Sequence, residues 1–211
     1  MVKEVTAHDL DEMVLHSVGK EGLRVIVDWV ARFSYWVSPQ VYREVQVVYP
    51  KTRRRHSGEK DRSIIDGIGV WGNQPAASAF WKAFGESPAG HTPSNYRNFV
   101  LCHIYERSAH DTEHFTNLAN LTVLPRCLES FSEWSPVRQV LMWHSYCTYG
   151  YLGPRNIVPA QPAYYPGHWP GVRKLDPKSV SKIGAYLRAR RAGRPTYYTR
   201  KGPSEGRIHD S

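Results

Sequence analysis

Cysteine is scarce: Cys102, Cys127 and Cys147 are the only three in 211 residues. An odd number with no C-x-x-C pair gives neither a disulfide framework nor a four-cysteine zinc site, and thiols of this kind suit a reducing cytoplasm. Long hydrophobic runs are missing too. None approaches the ~18 consecutive apolar residues of a membrane helix, so no membrane partner is expected. The opening residues 1–12 carry four acids, where a signal peptide starts basic and then turns apolar. There is no internal repeat. What the chain has is a globular balance of 41% hydrophobic and 22% charged residues, which excludes a wholly disordered, collagen-like or coiled-coil chain. Its aromatic share, 12%, is high.

The formal charge of +9 is unevenly placed. Residues 1–50 hold five basic and seven acidic side chains, 51–62 six and two, 63–172 six and seven, and 173–211 eleven and three. A near-neutral body therefore carries two basic segments, the distribution expected of a phosphate-backbone binder. The candidate nucleic-acid-binding residues are Lys51, Arg53, Arg54 and Arg55 in the first segment, and Lys182, Arg188, Arg190, Arg191, Arg194, Arg200 and Lys201 in the second. Tyr197 and Tyr198 beside the last of these add rings on which bases stack. The plainer reading is a basic tail that aids solubility. Neither segment has the apolar face of an interfacial helix.

Along the chain, Thr6-x-x-Asp9 predicts a capped helix through Leu10, Met13, Val14 and Val18 that Gly19 stops. Leu23, Ile26, Val30, Phe33 and Val37 predict a second helix over 22–36, ended by Ser38-Pro39. Val41 to Tyr49 reads as a strand, and the basic run with Gly58, Gly67, Gly69 and Gly72 as loop. A short helix is expected over 75–84. Ser135 as N-cap with Pro136 after it predicts a helix that buries Val137, Val140, Leu141 and His144 and ends at Gly150. Five prolines within 153–172 forbid a regular element, and the aromatics among them suggest an arm laid over the body. Asp176-Pro177 then caps a basic helix with Val180, Ile183 and Leu187 on one side. The expected organisation is a core over 1–152, followed by arm, basic helix and tail over 153–211.

One segment carries chemistry. Residues 98–105 (NFVLCHIY) read as a strand delivering Cys102-His103, and seventeen residues beyond His103 comes Asn120-Leu121-Thr122-Val123-Leu124-Pro125. His103-Ile104 and Asn120-Leu121-x-x-Leu124, at this spacing, resemble the HNH nucleases, the ββα-metal (His-Me finger) endonuclease superfamily. The wording Cys-His-Ile and Ala-Asn-Leu-x-x-Leu-Pro is also similar to a group of bacterial proteins with this finger. The resemblance covers about residues 98–131. It implies an α+β fold, with a ββα-metal finger embedded in a mainly helical single domain and a basic C-terminal extension.

It implies, further, that His103 takes a proton from water while one divalent metal, Mg²⁺, Mn²⁺ or Zn²⁺, binds the scissile phosphate. Asn120, at the opening of the family's helix, would anchor the hairpin and orient the histidine. The chain lacks the zinc-binding cysteine pairs that flank many members, and departs from the pattern in three further places. Tyr105 and Glu106 follow Ile104 where the family has proline, Cys102 stands where it has Asp or His, and Glu129 stands where its helix supplies His or Asn. Cys102 and Glu129 are thus the implied metal ligands, with His110 and His114 in the intervening loop as nitrogen donors. The plainer readings are a half-buried strand histidine for His103, a helix N-cap for Asn120 and solvated charges for the loop residues. The expected function is a metal-dependent HNH endonuclease acting on DNA, with RNA and a dimeric state left open. The alternative is a non-catalytic nucleic-acid-binding protein in which a degenerate finger survives as a fold element.

Overall fold

The computed structural model describes residues 7–48, 51–54, 62–65, 68–71, 79–84, 98–105, 108–169 and 175–192. Helix α1 (Ala7–Phe33) is two helical segments joined at Gly19, whose φ of 63° and ψ of −177° suit glycine alone. The glycine therefore kinks the chain rather than ending the helix in a loop. The second segment stops at Phe33, short of residue 36. Ser34 bonds back to the carbonyl of Ala31 (2.9 Å), and Tyr35 exchanges two backbone hydrogen bonds with Val123.

The strand expected from Val41 is instead a helix, α2 (Pro39–Glu44), capped by the Ser38 hydroxyl with Pro39 in its first turn. The pair Ser38-Pro39 starts this element as well as ending the one before it. Only the continuation is extended, with Val47 bridged to Asn117. Part of the loop expected over the glycines is also ordered, as strands β1 (Arg62–Ile65) and β2 (Ile68–Trp71) in antiparallel register, Ile65 opposite Ile68. The sequence between them is Asp66-Gly67, the dipeptide favoured in two-residue hairpins. Residues 79–83 form helix α3 and bury Phe80 and Trp81.

At the centre lies an antiparallel pair, β3 (Phe99–His103) and β4 (Leu121–Pro125). Strand alternation sorts its side chains into two layers. Val100, Cys102 and Leu124 pack with Ile26, Val27 and Val30 of α1 and with Val137, Val140 and Leu141 of α4 (Ser135–Tyr149). Phe99, Leu101, Leu121 and Val123 face the other way, toward Val41, Phe80 and, from α5 (Pro177–Ala192), Ile183 and Leu187. The small sheet is thus covered on both faces by helices, which explains why β4 reads as a nearly continuous apolar run. The fold is mixed α and β, as expected.

Helix α4 begins as expected with Pro136 in its first turn, although Trp134 and not Ser135 occupies the N-cap, and it ends on left-handed Gly150 (φ 69°). Residues 151–169 then run irregularly over the body. Tyr164 donates to the Asp28 carboxylate (2.7 Å), and Trp169 stacks on His144 with ring centres 3.7 Å apart. Gly153, at φ +72°, lies so close to the Tyr105 ring that an added Cβ would sit 2.3 Å from it. Asp176 caps α5 by accepting from the Ser179 amide (2.9 Å) and hydroxyl (2.6 Å). No helix among the described residues is long and apolar enough to cross a membrane.

Candidate active site

His103 is the last residue of β3, opposite Leu121. Strand pairing carries on for one more bond, from the Ile104 amide to the Asn120 carbonyl (2.9 Å). There the chain leaves as a loop that returns at Asn120. The Asn120 side chain closes the neck. Its Oδ1 accepts from the Tyr105 amide (2.8 Å) and its Nδ2 donates to the His114 carbonyl (2.8 Å). It is wholly buried, and both ends of its amide are satisfied.

Sequence reasoning placed Asn120-Leu121 at the opening of the family's helix. The structure differs: Leu118–Asn120 is a 3-10 turn that runs straight into β4, and the next α-helix starts only at Ser135. The residue that caps this turn is Asn117, which accepts from the Ala119 amide (2.9 Å). Asn120 is therefore a tie between loop and strand and not a helix cap.

The loop in turn fixes the His103 ring. Nε2 lies 3.0 Å from the Phe115 carbonyl oxygen, and the imidazole stacks on the Phe115 ring with centres 4.4 Å apart. A carbonyl only accepts, so Nε2 carries the proton and Nδ1 is left as the basic nitrogen of the neutral ring. Burial lowers the pKa of this imidazole below its ordinary value, and the Phe115 carbonyl opposes the shift only in part.

The first basic segment and this loop lie together. The Val48 amide donates to the Thr116 carbonyl (3.0 Å), the Arg54 amide donates to the Ala109 carbonyl (2.5 Å), and Lys51 forms an ion pair with Glu113. Lys51 and Arg53 are buried, at 9% and 7% exposure, whereas Arg54 is exposed. Of the other nucleic-acid candidates, Lys182 is exposed on α5, and Arg188 is ion-paired with Glu44 (2.6 Å). Arg190 and Arg191 belong to the last turn of α5. Arg55, Arg194, Arg200 and Lys201 lie outside the described residues.

The four metal-ligand candidates are spread over different surroundings. Cys102 precedes His103 on β3 and so faces the α1–α4 layer, where burial pushes its thiol up to about 11, with the Glu129 and Glu133 carboxylates adding to the rise. Such a thiol resists ionisation and does not suit a hard cation. Glu129 is exposed at the end of the 3-10 turn Arg126–Leu128. His110 is exposed, with Nδ1 3.2 Å from the Arg54 carbonyl. His114 is half-buried. Its Nδ1 lies 2.6 Å from the Tyr151 hydroxyl, and its Nε2 4.0 Å from Oδ2 of Asp111. Among the described residues no group of three or more His, Cys, Asp or Glu side chains gathers at one point.

Phe115 and Tyr151 went unnoticed in the sequence. Phe115 acts through its backbone carbonyl, which leaves no residue-type signature. Tyr151 follows the Gly150 cap that ends α4, and only the fold reveals that this turn meets the loop carrying His114. Comparison with protein families, curated proteins and solved structures finds no match for the chain.

Proposed function

We propose that the chain is a metal-dependent endonuclease of the HNH type that hydrolyses DNA phosphodiester bonds in the cytoplasm, with β3, β4 and α4 as its ββα finger. The observation that carries this reading is the fixed tautomer of His103. Its Nε2 is held by the Phe115 carbonyl, so Nδ1 is the atom that takes a proton from water. Burial keeps the ring neutral near pH 7. Asn120 positions this base indirectly, by holding the segment His114-Phe115 against the strand end. Exposed Arg54 borders the same loop and offers a charge-assisted contact to a backbone phosphate, and Lys182 offers another from α5. A divalent cation bound beside the loop would neutralise charge on the scissile phosphate and on the departing 3′ oxygen.

The test is nicking of supercoiled plasmid by the purified protein with Mg²⁺, Mn²⁺ or Zn²⁺. His103→Ala is expected to abolish cleavage while leaving DNA affinity nearly intact. Activity of the parent chain should fall as pH drops toward the lowered pKa of His103, and should be level above about pH 6.5, the ordinary imidazole value. Full cleavage by His103→Ala overturns the assignment. Binding without cleavage by the parent chain, with every metal, establishes the alternative of a non-catalytic nucleic-acid-binding protein.

A further inference from the structure

We propose that the outer face of the second α1 segment, carrying Val25, Trp29 and Phe33, is a self-association surface on which a second copy of this chain docks antiparallel, helix against helix.

The stretch from Gly22 to Phe33 is apolar on two sides. Ile26, Val27 and Val30 are buried in the layer that α1 shares with the sheet and α4. Val25, Trp29 and Phe33, each four residues on from the last, form a second stripe on the opposite face, at 41%, 50% and 45% exposure. Among the described residues, none of the three packs into either core layer. Single exposed apolar side chains are ordinary, but a row of them with a tryptophan at its centre marks a contact surface. A helix that is apolar all round is one that is covered all round, and the body covers only one side of this one.

The charges beside the stripe select the partner. On a helix of 3.6 residues per turn, Glu21 and Arg32 border the stripe on the flank away from the body. Asp28 and Arg24 lie farther round, where the arm holds them: Tyr164 donates to the Asp28 carboxylate (2.7 Å), and the Arg24 guanidinium lies 5.4 Å from the centre of the Tyr164 ring. One acid at the start of the stripe and one base at its end favour neither a polyanion nor a partner of uniform charge. They complement the same helix reversed. When two copies run antiparallel about a point between Val25 and Trp29, Val25 meets Trp29 of the second copy, Phe33 falls over Gly22, which has no side chain, and Glu21 stands level with Arg32 in both halves. A parallel pair sets like charge on like. Glu21 is open to such a contact, since its 3.5 Å pairing with Arg24 leaves its side chain 84% exposed.

The exposed half of each ring offers roughly 100 Å², and with Val25 and the bordering side chains each copy hides about 400–500 Å². The total of nearly ~1,000 Å² is the lower bound for a specific interface and corresponds to a weak dimer, with a Kd of about 10–100 μM. Its formation does not rest on the nuclease reading.

The experiment is sedimentation velocity of the full chain at physiological ionic strength, over concentrations of about 2–500 μM. A monomer that passes into a dimer is expected. Trp29→Ser and Phe33→Ser should each weaken association by at least about tenfold, with the thermal melt unchanged because both side chains lie outside the core. Arg32→Glu and Glu21→Arg should each weaken it about fivefold, since each places like charges together twice in the dimer, and the double variant Glu21→Arg/Arg32→Glu should restore it. The two positions are about 17 Å apart along one helix, so only an antiparallel second copy brings them together. If Trp29→Ser fails to melt cooperatively, the charge variants decide. A parent chain that stays monomeric throughout overturns the proposal, as does a dimer untouched by a folded Trp29→Ser or a double variant that associates no better than the single ones. A monomer whose affinity for single-stranded DNA falls in Trp29→Ser gives the stripe to base stacking and overturns the proposal as well.

Discussion

Replacing Asn120 by alanine removes the side chain that ties the loop to the strand end, and the structure sets the size of the effect. Two hydrogen bonds of 2.8 Å are lost at a position with no solvent exposure. A buried polar group left without a partner costs about 1–3 kcal/mol. The Tyr105 amide loses the acceptor that Asn120 provides. The His114 carbonyl keeps a longer bond from the Asn117 amide (3.3 Å), so its loss lies at the low end. Adding the void left by the amide, the expected destabilisation is about 2–4 kcal/mol. For a chain of this size that corresponds to a fall in Tm of roughly 5–15 °C.

Urea unfolding, followed by circular dichroism, measures the first quantity. The second readout is specific to the site: with the neck loosened, the Phe115 carbonyl no longer fixes His103, water reaches the ring, and its pKa should rise toward the ordinary imidazole value, as read by NMR titration. Asn117→Ala is the control, because it removes the cap of the same 3-10 turn without touching the neck. It should cost about 1 kcal/mol and leave the His103 titration in place. If Asn120→Ala loses less than about 1 kcal/mol and the titration does not move, the backbone bond between Ile104 and Asn120 holds the neck by itself, and the role given to the amide is wrong.

Three further perturbations follow from the packing. Gly153→Ala places a Cβ against the Tyr105 ring at a left-handed backbone position, so Tm should fall by several degrees, whereas Gly167→Ala, which meets nothing within 4 Å, should be nearly neutral. Removing residues 193–211 takes away four basic and two acidic side chains, and should flatten the salt dependence of DNA affinity by about 0.9 for each phosphate that these cations neutralise; an unchanged slope places the phosphate-binding cations elsewhere. His144, buried against Trp36 and Trp169 with its pKa lowered to about 4, stabilises the fold fully above the unfolded value of about 6.5. That stability should be lost as pH falls from there toward 4, up to about 3 kcal/mol by linkage, and His144→Phe should remove the dependence.

The elements most legible in the sequence are those that satisfy a local rule and a tertiary one at once. Helix α4 shows this: Pro136 fits the first turn, Gly150 fits the left-handed cap, and Val137, Val140 and Leu141 form the stripe that the β3–β4 sheet buries. Residues 41–49 misled because Ser38-Pro39 is read as easily as a stop as it is as a start. Val41 and Tyr42 are buried on a helix of only six residues, too short to display its period. Asn120 misled in a different way. The resemblance implies an anchor from hairpin to helix, but the element that follows it is a strand whose two faces are both covered, so that Leu121, Val123 and Leu124 lack the alternation that marks a half-exposed strand.

Charge was the least decipherable signal at the site. The run beginning at Lys51 reads as a phosphate-binding patch, yet Lys51 turns inward to Glu113 and Arg53 is buried, while the segment's backbone is hydrogen-bonded to the loop at Val48–Thr116 and Arg54–Ala109. Lys51 placed this way helps hold the loop in shape, although its partner Glu113 is 55% exposed, so solvent screening keeps the ion pair's contribution to about 1 kcal/mol or less. Sequence position cannot distinguish that role from an outward one. Both need clustered Lys and Arg, and only the partner differs, a carboxylate eight residues before Leu121 in one case and a phosphate in the other. The consequence for the site is physical: the segment that begins at Val47 stiffens the loop carrying His114 and the Phe115 carbonyl, and it presents Arg54 to solvent at the edge of that same loop. The outward placement of Arg54 and the alignment of His103 therefore depend on one stretch of chain.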